Sequence, residues 1–143
     1  MATSVDAARS YYSVDDRKIR WFTLGDFEHF VFAICDVDQR RRVVDLILKF
    51  EPNQQIFLHR HLALTNTLVV QGEHRLYEAD GRLKEIRPSG SYYSTPPGDP
   101  HREGGRDEGA VVLYSVRAGD GEVLFEARRR PQGCRDPEHG KFH

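Results

Sequence analysis

Gly90-Ser91-Tyr92-Tyr93-Ser94-Thr95-Pro96-Pro97-Gly98-Asp99-Pro100-His101 sets a turn glycine, a short strand-like run, a proline-glycine corner and one histidine in a row. The aromatic and hydroxyl residues of 91–95 suit a strand. Pro96 ends that ladder, because it has no N–H to donate. Pro97-Gly98 suits a type II turn, in which proline fixes φ at the first corner and glycine takes positive φ at the second. His101 then re-enters the next strand at a fixed place. Two prolines and a glycine form a rigid mount for one imidazole.

Working outward, the chain reads as strand after strand. Segments 18–23, 29–35, 42–50, 55–61, 66–71, 74–78, 82–87, 91–95, 110–117 and 122–128 are each rich in β-branched, aromatic or aliphatic residues. Turn chemistry divides them at Leu24-Gly25-Asp26, Glu51-Pro52-Asn53, Gln71-Gly72, Asp80-Gly81, Pro88-Ser89-Gly90 and Gly119-Asp120-Gly121. Asp80-Gly81 predicts a two-residue hairpin with both central residues at positive φ. Many short strands with almost no helical period argue for an all-β antiparallel barrel or sandwich. Residues 1–143 form a single domain with its core over 18–128. Residues 1–15 are a polar lead-in, with a short helical alternative at Ala7–Tyr12, and 131–143 are a surface tail.

His59-Arg60-His61 lies at the end of the run Ile56-Phe57-Leu58. Side chains two apart in a strand share a face, so Phe57, His59 and His61 point one way and Arg60 the other. Two imidazoles one pleat apart on a concave face can converge on one ion. An isolated H-x-H also arises by chance and can be plain surface chemistry. His29, His139 and His143 sit in polar surroundings and call for no functional reading. His74 and Arg75 occupy opposite faces of one strand, so at most one of them faces the interior.

Composition removes other classes. The 143 residues are 38% hydrophobic and 30% charged with a formal net charge of −1, and the sequence pI is about 6.7. That balance gives no drive toward nucleic acid or an anionic membrane. Arg40-Arg41-Arg42 and Arg128-Arg129-Arg130 read as solvated strand ends. No apolar stretch has the length of a transmembrane helix, and Met1–Asp6 shows no basic region followed by an apolar core as a signal peptide would, so the expected location is the cytoplasm. Cys35 and Cys134 are too few for a disulfide framework, and Cys35, in an apolar run, is expected as a buried free thiol.

Taken together, these motifs resemble the cupin superfamily. Its first motif, G-x5-H-x-H-x3-4-E-x6-G, is met by His59, His61 and Gly72, with Asn53 at the first glycine place. Asparagine also tolerates left-handed geometry. Its second motif, G-x5-P-x-G-x2-H-x3-N, is met from Gly90 through His101, with Gly105 where asparagine is usual. Seventeen residues separate the motifs, as in small single-domain bacterial cupins, and the likeness spans about 40–128. It implies a cupin-type antiparallel β-barrel or jelly roll in which His59, His61 and His101 hold one divalent metal. The motif's glutamate is missing: Thr65 or Asn66 stands in its place. Glu103, two residues after His101 on the same nominal face, can replace the carboxylate or orient a ligand from outside.

Three neutral imidazoles leave the ion its full charge and open positions for an anionic chelating partner. Among cupins this pattern looks like that of β-diketone-cleaving dioxygenases. The resemblance therefore implies iron(II)-dependent cleavage of a C–C bond in a small enolisable, 1,3-dicarbonyl-like substrate, with dioxygen as partner. Zinc(II) or nickel(II) at the same site would support non-redox isomerase or hydrolase chemistry instead. A third reading is a non-catalytic metal or small-molecule sensor, like the cupin domains attached to anti-sigma factors. By register, Phe57, Thr65, Thr67 and Val69 shape the substrate cavity. The segment 43–50, apolar on both faces, suggests sandwich core or an interface, and a homodimer is expected.

Overall fold

Val44, Leu46, Leu48 and Phe50 alternate with Val43, Asp45, Ile47 and Lys49. In the computed structural model, which describes residues 15–119, 125–128 and 141–142, this period-two pattern is strand β2 (Val43–Phe50). It runs antiparallel between β1 (Phe30–Asp38) and β7 (Arg102–Arg117). The other edge of β7 pairs with β4 (Leu64–Tyr77), which also carries β5 (Leu83–Arg87) and β6 (Tyr92–Thr95). Together they make a six-stranded sheet ordered β1-β2-β7-β4-β5, with β6 on β4. A smaller sheet joins β3 (Leu58–His61), β8 (Phe125–Arg128) and β9 (Lys141–Phe142). The even-numbered face of β2 meets Phe30, Val112, Tyr114 and Val116 in the core. That burial is the main stabilising term.

Several sequence expectations shift. Segments 66–71 and 74–78 are one continuous strand, β4, because Gln71-Gly72 makes a bulge rather than a turn. Relative to β7 an extra residue is inserted between Val69 and Gln71, and a second irregularity falls between Gly72 and His74. A bulge changes side-chain parity. Thr65 and Thr67 thus face the same interior as His74 and Leu76. The predicted strand 18–23 is a 3-10 turn, Asp16–Lys18, followed by a single bridge from Phe22 to Phe32. Asp80 does not reach positive φ. Gly81 alone does (φ 92), and the bonds from Gly81 N–H to Glu78 C=O and Glu78 N–H to Arg82 C=O make a longer hairpin loop. Such loops place a single left-handed glycine after an ordinary turn.

Asn53 adopts φ 56, the left-handed geometry expected of it. Arg40, Arg41 and Arg42 are exposed at the β1–β2 turn. Cys35 is a free thiol but exposed, contrary to expectation, because β1 has only β2 as a strand partner and is bulged between Ile34 and Asp36. The lead-in over 1–14, Cys134 and the tail over 131–140 lie outside the described residues. Among the described residues no helix is long and apolar enough to cross a membrane.

Glycines make the β4–β7 contact possible. Gly72 and Gly109 both adopt φ 74, and a Cβ on Gly72 would run into the Gly109 carbonyl. A Cβ on Gly105 would lie 2.6 Å from Gly109 Cα, which explains a glycine where the cupin motif has asparagine. Gly105→Ala is expected to lower stability in urea by roughly 1–3 kcal/mol, as overpacking does. Gly119→Ala, whose Cβ meets nothing within 4 Å, is expected to unfold at the wild-type denaturant midpoint.

Candidate metal centre

The two halves of the signature meet through the backbone. His59 N–H donates to His101 C=O (3.0 Å) and His101 N–H to His59 C=O (2.8 Å), a reciprocal antiparallel pair that puts both side chains on one face. His61 follows one pleat along β3, and Glu103 one pleat along β7. One ligand atom from each of His59, His61, His101 and Glu103 lies within 4.8 Å of the others. The Nε2 atoms of the three histidines stand 2.6, 3.4 and 3.3 Å from a single oxygen, Glu103 Oε2.

The outer ring nitrogens fix the tautomers. His59 Nδ1 faces the Phe57 carbonyl at 2.9 Å, and His101 Nδ1 faces the Asp99 carbonyl at 3.2 Å. A carbonyl only accepts, so each Nδ1 carries the proton. His61 Nδ1 is 3.4 Å from Thr65 Oγ1, whose own hydrogen goes to the Ala63 carbonyl at 3.1 Å, so this Nδ1 donates too. In the neutral imidazoles all three Nε2 lone pairs therefore point at one spot. That is the arrangement of histidines bound to a metal through Nε2. Thr65, at the place of the motif's glutamate, holds His61 from outside.

The carboxylate arrives from β7. Glu103 is 2% exposed, and an unpaired charge so buried costs on the order of several kcal/mol. Its Oε1 accepts from Tyr114 Oη and from His74 Nε2 (2.8 Å), which leaves Oε2 to face the three histidines. Burial alone pushes the Glu103 carboxyl up, but without an ion, when protons occupy the inner Nε2 atoms, hydrogen bonds from His101, His59, His61 and His74 overturn this and hold it well below the usual carboxylate range. Burial lowers His61. At His101 burial also pulls down, yet the bond to Glu103 and its charge outweigh it and the net shift is upward. Burial, then the Glu103 charge, push Tyr114 well above the ordinary phenol value, so its hydroxyl stays a donor. A divalent ion among the three lone pairs and Oε2 would relieve their mutual repulsion without added protons. The donor set fits zinc, nickel, iron or copper.

Two cavities open on the cluster. One, of about 60 Å³, is apolar and lined by Phe57, Phe32, Leu46 and Val116 beside His59 and His61. The other, of about 150 Å³, is polar and lined by Thr65, Thr67, Thr95, Lys84 and Arg87 beside His61 and His101. Glu103 and Tyr114 line both. Of the four predicted cavity residues, Phe57 lines the apolar side and Thr65 and Thr67 the polar side. Val69 lines neither: it is fully buried, paired with Val112 in β7, and its backbone N–H and C=O bond to Ser91 C=O and Gly90 N–H. Asn66, flanked in the strand by inward-facing threonines, points away from the cluster.

Sequence register could not place His74 or Tyr114. His74 faces inward, is 1% exposed and stacks on Phe50 at 5.3 Å. The bulge near Val70 is what moves it to the inner face. Glu103 was legible only through the rule that residues two apart share a strand face.

Neither a protein-family model nor a curated protein matches the sequence. Solved structures do. A cupin-like protein from Thermotoga maritima superposes with a TM-score of 0.61 at 16% identity, covering 78% of this chain and 87% of that one. The DMSP lyase DddQ from Ruegeria pomeroyi gives 0.59 at 16% identity over 84% of this chain and 66% of the lyase. A chain in the complex of Rhodobacter sphaeroides SigE with the anti-sigma ChrR gives 0.57 at 21% identity over 70% of this chain. Only 49% of that partner is covered, so the present chain spans about half its length. At such identities the likeness establishes the fold: the chain has an all-β, antiparallel, cupin-like fold.

A metal at a hundred times its Kd adds about 2.7 kcal/mol to stability, which raises the melting midpoint by roughly 5–12 °C for a domain of this size. Zinc titration followed by differential scanning fluorimetry is expected to show this rise in the wild type and none in His101→Ala. Tyr114→Phe, which removes an outer donor to Glu103, is expected to weaken zinc binding by about tenfold to a hundredfold in competition with a chelating dye.

Proposed function

We propose that this chain is a mononuclear metal-dependent cupin enzyme that acts on a small, chelating, enolisable carbonyl compound by non-redox chemistry. One observation carries the reading: three imidazoles with their Nδ1 atoms engaged turn their Nε2 atoms onto one carboxylate oxygen between two cavities. A bound divalent ion would supply Lewis acidity toward an enolate and, if it is iron(II), reactivity toward dioxygen. The protein does the rest. Thr67 offers a hydroxyl to the substrate's polar end while Thr65 holds His61, Phe57 and its apolar neighbours keep water off the opposite side, and Tyr114 holds a proton at Oη toward Glu103.

Charge and ligand count favour the non-redox form. Four protein ligands leave two positions on an octahedral ion, enough for a bidentate chelate. An iron(II) dioxygenase that binds both a bidentate substrate and dioxygen needs three. It is the second reading, supported by the Tyr114 and His74 bonds that can retain Glu103 beside the ion instead of on it. A sensor role is the third, suggested by the likeness to a chain of the SigE–ChrR complex. A homodimer through the outer face of the large sheet, where Leu64, Leu68 and Tyr92 are exposed, accompanies all three readings.

Untagged protein loaded anaerobically with zinc, nickel or iron(II) can be offered 1,3-diketones and α-hydroxyketones in deuterium oxide. The expected outcome is solvent exchange at the α-carbon, seen by proton NMR, with no oxygen uptake after air is admitted. Oxygen uptake with iron(II) alone would move the assignment to the dioxygenase. Neither exchange nor uptake would leave a binding module. Sedimentation at micromolar concentration is expected to give twice 16.5 kDa; a species of that mass alone would refute the dimer.

A further inference from the structure

Arg87 has no role in the proposed metal centre, yet it is 6% exposed and lines the polar cavity. It ends β5 directly opposite His74, the residue that supports Glu103. About 4.8 Å, one strand spacing, separates their backbones. Its guanidinium lies 3.9 Å over the Tyr93 ring, so one face is covered. Nε and Nη2 reach Glu85 at 3.0 and 3.4 Å, which uses one edge of the fork. Neither bond uses Nη1, which is not among the buried nitrogens sealed away without a partner, so this edge is open to the cavity that Arg87 lines.

A buried cation with a spare edge is costly unless something completes it. Glu85 is a partial partner, since its side chain is 35% exposed at the rim. Thr65, Thr67 and Thr95 line the same cavity as Arg87, His61 and His101: Thr65 pairs with Thr95, and Thr67 with Tyr93 under the guanidinium. Lys84 adds a second cation to the lining. The cavity is thus bipolar, with a chelate site and a planar cation in one lining, together with threonine hydroxyls.

We propose that the substrate carries a carboxylate besides its chelating carbonyl head, and that Arg87 receives this carboxylate through its free edge. Planar guanidinium matches carboxylate geometry, and a cavity of about 150 Å³ restricts the molecule to a small oxo-acid. This inference rests on the metal-centre reading and narrows its substrate class.

Titration calorimetry of the zinc-loaded full chain with acetylacetone and with 2,4-dioxopentanoate tests it, because the second probe adds one carboxylate to the same diketone head. The wild type is expected to bind the dioxo-acid at least about tenfold tighter, as a charged hydrogen bond would give. In Arg87→Gln the ratio of the two affinities is expected to fall to near one. Arg87→Lys keeps the charge, guards against loss of fold, and is expected to reduce the ratio several-fold because the fork is gone. Equal affinities in the wild type would overturn the proposal, as would a ratio that survives both substitutions (the carboxylate then binds elsewhere, including at the metal). Zinc binding without either diketone would instead sink the chelating-substrate reading, and this inference with it.

Discussion

The pair of backbone hydrogen bonds between His59 and His101 holds the candidate site together. β3 belongs to the small sheet and β7 to the large one, and this bridge locks them in a register that puts ligands from both on one face. Without it, two histidines at one place in the chain and one some forty residues on would have no fixed relation. With it, His61 and Glu103 follow from the pleat alone. The proline-rich approach to His101 and the left-handed Asn53 serve the same end, bringing the chain into the bridge at a set angle.

Electrostatics then explains why these residues tolerate each other. Each histidine spends its outer nitrogen on an acceptor: a carbonyl two residues back for His59 and His101, a threonine hydroxyl for His61. Glu103 is tied on its far side by Tyr114 and His74. What remains pointing inward is electron-rich on every side. In water such an arrangement would relax; in a packed barrel it cannot, and a divalent cation is the economical partner for it.

The sequence made the barrel and three of the four cluster residues legible, because those signals are local. His59-Arg60-His61 needs only strand alternation, and Pro96-Pro97-Gly98 needs only the φ preferences of its members. The carboxylate was harder. Position-by-position comparison with the motif pointed to Thr65 and Asn66, whereas the acid comes from Glu103 on the neighbouring strand. His74 was hidden by the bulge that shifts parity along β4, whose glycine, Gly72, reads equally well as a turn, and Tyr114 by a register irregularity in β7. Val69, expected at the cavity, is fully buried and lines neither of the two cavities beside the cluster. Cys35 looked buried because its neighbours are apolar, while its strand lies at the sheet edge.

Anomalous diffraction from metal-soaked crystals, recorded on both sides of the absorption edge, addresses the central claim most directly. The account predicts one peak per chain, about 2.0–2.2 Å from Nε2 of His59, His61 and His101 and from a Glu103 oxygen. A saturating soak that leaves this point without a peak, with Glu103 still seated among the three imidazoles, would contradict it.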